Sequence, residues 1–349
     1  MGGESRLIVV RQKVHLVSYH RWKWKCLDVN TRLRGKSAQC GPVFANAATE
    51  EGRQELSDAR ILMERDAEAG IARITLNRPE RRNSYDPAMR EQFGAYLDDI
   101  AEDDNIKVVL LRGEGGVFST GADMGNAYSW YGDGNPASDD NDGERRKRRP
   151  SQRRRLTVDR KSFSFYHNLM GFPKVTVAEV RGFALGGGFE MALMADISVV
   201  ASETVVGMPA TRFLGPALGS LHMFFHRLGP VLARRLLLTG DTVTAATLES
   251  AGVFTEVVSD ADVPVRADWW ARKISRMPGD GLVIAKEAFR LVEQMQAYQG
   301  EEVASYLFHA FGTNLQFDEG DFNFVKVRAE HGTTRAFQLR DSHFEIPEP

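Results

Sequence analysis

Gly182-Phe183-Ala184-Leu185-Gly186-Gly187-Gly188-Phe189-Glu190 follows an apolar run, Val175–Val180, and leads into residues 189–195, which have the composition of a buried helix. Three consecutive glycines at a helix start allow close approach of a ligand to the backbone. They also leave free N–H groups at the positive end of the helix dipole. A second glycine turn, Phe118-Ser119-Thr120-Gly121-Ala122-Asp123, follows a short apolar strand at 108–111. One N–H from each turn can hold an oxygen that gains negative charge, as a thioester enolate or a tetrahedral oxyanion does.

The elements around these turns have an α/β pattern. Residues 61–65 and 71–76 alternate apolar and polar side chains and are joined by 67–70, which predicts a β-hairpin. Pro79 ends the second strand because it cannot donate to a ladder. Asp86-Pro87 marks a helix start. Met89, Phe93, Tyr96, Leu97 and Ile100 then recur at helical spacing. Strand, helix, strand is the order of a parallel α/β sheet. Further on, Ile197–Ala201 and 254–258 read as strands, and 221–228 and 231–238 as buried helices. Residues 245–251 read as a helix capped by Gly252. From Pro264 the pattern is helical, with Trp269, Trp270 and Ile274, then Ala285, Phe289 and Val292. No solenoid period is present.

Composition narrows the class. The chain has 349 residues, 42% hydrophobic and 26% charged, which excludes a disordered or collagen-like polymer. No run approaches the ~18 apolar residues of a membrane span. Two cysteines, Cys26 and Cys40, exclude a disulfide scaffold and a thiolate zinc site. At roughly 150 residues per domain the length suggests about two domains. The net charge of −2 conceals local blocks. Residues 1–49 hold nine bases against two acids, with short apolar pieces of strand length at 7–10 and 14–19. A transit peptide, a tail upstream of the fold and a docked arm are all open readings of this leader. Residues 132–155 are polar and of low complexity and read as a mobile loop, with acids first and then eight bases between Arg145 and Arg155. Rival motifs fail: Met191 stands where a dinucleotide turn needs its last glycine, and no phosphate loop, serine elbow or His-Glu-x-x-His helix occurs.

The sequence resembles the crotonase superfamily, the enoyl-CoA hydratase/isomerase family, closely over about 61–258 and more weakly to about 330. The likeness rests on Ile74-Thr75-Leu76-Asn77-Arg78-Pro79 with Arg82-Asn83, on Ser119-Thr120-Gly121-Ala122-Asp123, on 173–197 along its whole length, and on Leu238-Thr239-Gly240-Asp241 with Ala251-Gly252. The resemblance implies an α/β, crotonase-like (ClpP/crotonase) superhelix of ββα units with a C-terminal helical trimerisation region. The expected division is a basic extension at 1–60, a catalytic core at 61–262 carrying the insertion 132–155, and a helical region at 263–349. It implies backbone N–H donors at Ala122 and Gly187, and Glu190 as one of two hydratase glutamates. Arg82, Asn83, Thr120, Gly121, Asp123, Gly186, Pro209, Ala210 and Phe324 fall beside the substrate, with Val325 and Arg328 on the same last helix as Phe324. The implied partner is an acyl-CoA thioester, in a homotrimer or hexamer, with no nucleic acid, membrane or metal and no cofactor beyond the CoA of the substrate. The expected compartment is the cytoplasm, or the mitochondrion if the leader is a transit peptide.

The sequence departs from the family at the second glutamate. Val206-Gly207-Met208-Pro209-Ala210-Thr211 matches a pattern in which a glutamate follows the proline, and here that place is Ala210. Alanine transfers no proton. Glu190 alone can move a proton beside an enolate or activate water. At a helix start the dipole lowers its pKa and burial raises it, and the sequence does not say which prevails. Hydratase or isomerase chemistry, hydrolysis or decarboxylation of a thioester, and CoA-ester binding without turnover are therefore the competing functions. His222 and His226 share a helix face but have no third metal ligand nearby, so packing is the expected role. Asp123, Asp196 and Asp241 read as structural in addition to their family match. Tyr128, Trp130 and Tyr131 read equally as pocket lining or loop packing.

The basic run has two principal readings, a solvated loop or an attractor for CoA phosphates through forked guanidinium donors, with nucleic-acid binding a third. Neutralising Arg145, Arg146, Lys147, Arg148 and Arg149 together separates them by calorimetry. Weaker acyl-CoA binding at low salt belongs to the phosphate reading, and an unchanged Kd to the solvated loop.

Overall fold

The computed structural model describes residues 59–125, 151–215, 220–312, 317–318 and 320–345. The two apolar pieces of the leader, the three aromatics at 128, 130 and 131, and the bases at 145–149 lie outside the described residues.

A hairpin of β1 (Ile61–Asp66) and β2 (Ile71–Leu76) opens the fold, followed by α1 (Pro87–Ala101) and β3 (Val108–Gly113). Asp86 caps α1 by accepting the Met89 N–H at 3.0 Å, with Pro87 in the first turn. Then come α2 (Gln152–Met170), β4 (Val175–Val180), β5 (Phe183–Leu185), α3 (Gly187–Met194), β6 (Ile197–Ala201), β7 (Val205–Gly207) and the single turn α4 (Thr211–Leu214). The rest is α5 (Leu221–Thr239), β8 (Thr242–Thr244), α6 (Ala245–Leu248), β9 (Glu256–Val258) and helices α7 (Val263–Ser275), α8 (Gly279–Glu293), α9 (Gln299–Gly312), α10 (Phe324–His331) and α11 (Thr333–Phe344).

Six strands form the main sheet in the order β1-β2-β3-β4-β6-β9. Only β1 pairs antiparallel. A second sheet, β5-β7-β8, lies in a separate layer and is prolonged by parallel bridges Ser119↔Ala184 and Tyr85↔Ala122. The chain therefore repeats one course four times: a main-sheet strand, a short second-layer segment, then a helix. The courses are β2, Tyr85 and α1; β3, Ser119–Ala122 and α2; β4, β5 and α3; β6, β7 and the helices after it. All four second-layer segments end where a helix begins or a glycine turn stands, and this gathers the turns at one place.

Alternation sorts the strand side chains. Val109, Leu111, Ala178 and Val180 enter the larger core with α1, α2, α3 and α5. Val108, Leu110, Val175 and Val177 face the other way, onto Val263, Ala267 and Ala271 of α7. Both faces of β4 are covered, which explains its unbroken apolar character.

Three details differ from the sequence reading. Helix α2 begins at Gln152, so the last residues of the expected loop are helical, with Ser151 accepting the Arg154 N–H as cap. Residues 221–238 form the two expected helical stretches, separated at Gly229 (φ 72) before Pro230, but Val231 and Leu238 are exposed, uncovered by any other of the described residues. The last parallel strand starts at Glu256 rather than 254.

Asp196, between α3 and β6, ties β4 to α8. It accepts the Thr176 N–H at 2.8 Å and the Lys286 Nζ at 2.6 Å, and Lys286 is buried. Removing one partner leaves the other charge uncompensated in a poor solvent, which costs about 3 kcal/mol or more. Asp260 pairs with Arg181 at the surface, where such a pair contributes roughly 1 kcal/mol or less. Asp196→Ala is expected to lower the denaturation midpoint far more than Asp260→Ala, and equal losses in urea titrations would contradict this account.

Candidate active site

The two glycine turns meet at their backbones. Gly121 has φ 82, and a Cβ on it would lie 2.7 Å from both Gly187 N and Leu185 O. A Cβ on Gly188 would strike the carbonyl of Ser119. No residue larger than glycine fits at 121 or 188 without separating the layers. The bridge geometry then orients the amides. Tyr85 N–H donates to Gly121 O and Asp123 N–H donates to Tyr85 O, both at 2.9 Å, so the Ala122 N–H between them points the opposite way. Gly186 N–H donates to Gly207 O, while Gly187 stands in the first turn of α3, where helical N–H groups lack internal acceptors. Among the described residues neither the Ala122 nor the Gly187 N–H has a backbone acceptor.

Glu190 lies one turn into α3 and is buried. Burial pushes its carboxyl up to about 7, while Ser220, the charge of His309 and the Tyr166 hydroxyl draw it back down. The contest left open by the sequence is thus won by desolvation, and Glu190 exchanges its proton near neutrality. Tyr166, on α2, and Tyr85, just before α1, hydrogen-bond to each other through their hydroxyls. A Cβ on Gly187 would collide with both hydroxyls, so the phenols fill the space beside that amide. Burial raises both phenols well above their ordinary value, and the Glu190 charge adds to the effect, so both remain neutral hydrogen-bond donors. Asp159, on α2, is 1% exposed and lies 3.1 Å from Nδ1 of His309 on α9.

The other expected residues have distinct places. Arg82 and Asn83 both adopt left-handed backbone. The Arg82 guanidinium lies over the Phe183 ring at 5.0 Å, and its carbonyl accepts the Thr120 N–H at 3.1 Å. Asn83 is fully buried, and its amide is committed to Arg78 N, Glu114 O and Val117 O, so its side chain pins two loops. Asp123 pairs with Arg78 at 2.8 Å, a structural tie. Gly186 caps α3 with φ 55. Pro209 and Ala210 form the turn after β7, and Ala210 packs against the large core without offering any acid. Phe324 is buried between Phe213 and Phe337, each 5.0 Å away. Its helix reaches the first glycine turn through Arg328, which donates to Met124 O at 2.5 Å. His222 and His226 stack at 5.6 Å, and among the described residues no group of three potential metal ligands occurs.

Sequence reasoning missed Tyr85, Tyr166, Ser220, Asp159 and His309. One signal was available: Asp159 is the lone acid of a helix rich in arginine, three, four and seven residues before Ser162, Phe163 and Tyr166 on one face.

A family model described as Enoyl-CoA hydratase/isomerase matches residues 66–333. The chain is 30% identical over 279 residues to a probable enoyl-CoA hydratase of Mycobacterium tuberculosis, spanning 79% of this chain and 98% of that one. It is 29% identical over 227 residues to the 1,2-epoxyphenylacetyl-CoA isomerase of Escherichia coli, spanning 65% and 80%. An enoyl-CoA hydratase/isomerase structure from Xanthobacter autotrophicus superposes with a TM-score of 0.70 at 28% identity, covering 82% of this chain and 99% of that chain.

A raised carboxyl makes stability depend on pH in a defined direction. Below about 4.5, its ordinary value, Glu190 is neutral both folded and unfolded. As pH rises to about 7 the unfolded chain ionises while the fold holds the proton, and stability falls until both are ionised. The span corresponds to about 3 kcal/mol. Glu190→Gln, which cannot ionise, should gain roughly that much on the wild type between pH ~4.5 and pH ~8. Denaturant titrations at the two ends measure it, and a constant difference would contradict it.

Proposed function

From the chain's membership of the enoyl-CoA hydratase/isomerase family, which the match over 66–333 establishes, we propose that it moves a proton at the carbons beside the thioester of an enoyl-CoA, with Glu190 as the acid/base. The supporting observation is a buried carboxyl with a pKa of about 7, one turn from the Gly187 amide, together with alanine at the position of a second glutamate.

In this reading the thioester oxygen sits between the Ala122 and Gly187 amides. Negative charge develops on that oxygen as the enolate forms, and fixed amides at a helix N-terminus stabilise it without reorganising. Glu190 takes the proton from one carbon of the acyl chain and returns it to another, which is isomerisation. The same carboxylate deprotonates a water that adds to the β-carbon, and the returned proton goes to the α-carbon, which is hydration. A single carboxylate suffices for either course. Hydration lacks the second positioned acid and is expected to be slower by roughly 10²–10⁴ than with two. Arg82, Thr120 and Gly121 border the CoA side, and Phe324 closes the acyl side with Phe213. The chain's own groups and the substrate's CoA supply all the chemistry this reading needs. Hydrolysis or decarboxylation in the same pocket would draw on the same two amides.

Ile284, Phe289, Leu291 and Val292 of α8 and Val303, Leu307 and Phe308 of α9 are exposed in the single chain. Their extent favours a homotrimer or a hexamer built on this face. Among the described residues no helix is long and apolar enough to cross a membrane.

The test is direct. The protein is incubated with crotonyl-CoA, a longer 2-enoyl-CoA and a 3-enoyl-CoA, and products are followed by mass. Turnover of at least one substrate is expected, falling by about 10² or more in Glu190→Gln. Full activity in that variant removes Glu190 from the mechanism. Acyl-CoA binding with no product from any substrate converts the reading to a binding protein.

A further inference from the structure

The atoms nearest to the missing side chain of Gly187 are two phenol oxygens. A Cβ there would overlap the hydroxyls of Tyr85 and Tyr166 and lie 2.9 Å from Cζ of Tyr85. Gly187 is the first residue of α3. In a helix the Cα–Cβ direction tilts towards the N-terminus. The N–H groups of the first turn point the same way. Whatever occupies that side-chain position therefore stands beside an acceptor held by the Gly187 amide. Packing alone would not ask for a hydroxyl. Phe165 lies 5.8 Å from the Tyr85 ring and 5.1 Å from the Tyr166 ring and packs without one. It is the two oxygens that reach the backbone of α3.

Both hydroxyls are held in place. The backbone of Tyr85 belongs to the first glycine turn: its N–H donates to Gly121 O and its carbonyl accepts the Asp123 N–H, each at 2.9 Å, opposite Ala122 in the parallel bridge. Its side chain then crosses to Gly187 in the second turn. One residue is thus fixed to the Ala122 end of the site by its main chain and to the Gly187 end by its hydroxyl. Tyr166 arrives from α2, and its hydroxyl bonds that of Tyr85. Both residues are buried. Two hydroxyls carry two protons, and the bond between them uses one. The second is left to donate, and a buried donor without an acceptor is costly. Burial holds both phenols far above their ordinary value, so that proton is shared in a hydrogen bond and not released.

We propose that Tyr85 is a catalytic residue, a side-chain donor to the thioester oxygen alongside the Ala122 and Gly187 amides, and that Tyr166 is the positioning residue that orients its hydroxyl. The inference rests on the seat proposed above for the thioester oxygen between those amides. Tyr166 donates to the Tyr85 oxygen, and Tyr85 donates its own proton to the thioester oxygen. Neither phenol loses a proton at any stage. The proton that leaves the acyl chain goes to Glu190, and the electron pair it leaves behind becomes the enolate, whose charge meets three fixed donors instead of two. The timing is favourable. An ionised Glu190 competes for the hydroxyls through Tyr166. Once Glu190 has taken the substrate proton it no longer competes, and that is the state in which negative charge stands on the thioester oxygen.

The first readout needs no turnover. Butyryl-CoA labelled with ¹³C at the thioester carbonyl is bound to the protein at a pH below about 7, where Glu190 keeps its proton, and its carbonyl resonance is recorded by NMR. Hydrogen bonds to a carbonyl draw electron density onto the oxygen and move the carbon downfield. In Tyr85→Phe the resonance is expected to move back towards its position in free butyryl-CoA, and in Tyr166→Phe to move the same way by less. An unmoved resonance in Tyr85→Phe overturns the proposal whatever happens to the rate, and so does failure of butyryl-CoA to bind the wild type. The second readout is steady-state turnover of the enoyl-CoA that the protein accepts. In Tyr85→Phe kcat should fall by roughly 10² with KM little changed, the scale of losing one oxyanion donor. An unchanged kcat overturns the catalytic role. If Tyr85→Phe does not fold, the double variant Tyr85→Phe/Tyr166→Phe removes both hydroxyls, leaves no buried donor unpaired and is read in the same way. Full turnover in Glu190→Gln, or none in the wild type, would sink the acid/base reading by itself, while the carbonyl resonance would still decide whether Tyr85 touches the thioester.

Discussion

Two loops from successive courses of the chain touch with no side chain between them, and most of the site follows from that contact. Gly121 lies so close to Gly187 N and Leu185 O that even a methyl would part them. Such an approach is available only to glycine, and in the left-handed region occupied by Gly121 it is doubly so. The contact fixes the separation of the Ala122 and Gly187 amides. It also fixes the start of α3, hence the position of Glu190 one turn later. The main sheet, with its two apolar faces, serves chiefly to bring the four second-layer segments to this point in register.

Around that contact the core tolerates a concentration of polar groups that would ordinarily be costly. Glu190, Tyr85, Tyr166, Ser220 and Asp159 are all buried. Tyr85 and Tyr166 hydrogen-bond to each other and Asp159 lies 3.1 Å from His309, so part of the desolvation cost is offset within the group. The result is a carboxyl held near neutral pKa rather than one neutralised outright. Elsewhere the same chain solves buried charge differently. Lys174 is satisfied by the carbonyls of Ile100 and Asp103, and Lys286 by Asp196, arrangements that tie elements of the fold together.

Local chemistry made part of this legible in the sequence. The glycine turns, the strand alternation, the capped start of α1 and the absence of a glutamate at Ala210 are each written within a few consecutive residues. Glu190 was visible because it follows the glycines directly. Tyr85, Asp159, Tyr166, Ser220 and His309 were not, because their meaning lies in contacts between residues far apart in the chain; Asp159 and His309 are brought together only when α9 packs on α2. Helix α2 itself was obscured because its first turn, Arg153 to Arg155, continues a charged run, and charge of that kind outweighs a periodicity that begins only at Leu156. The hydrogen bonds of the Asn83 side chain were hidden for the same reason: they run to carbonyls more than thirty residues away.

Helix α9 has two occupations at once. Its inner side carries Ser305, His309 and Ala310, and its outer side carries Val303, Leu307 and Phe308 in the open. A rigid helix cannot move one side without the other. Whatever covers the outer side therefore bears, through the seating of a single helix, on how α9 packs against α2. A substitution at Leu307 or Phe308 would then register in the packing of an inner side it never touches.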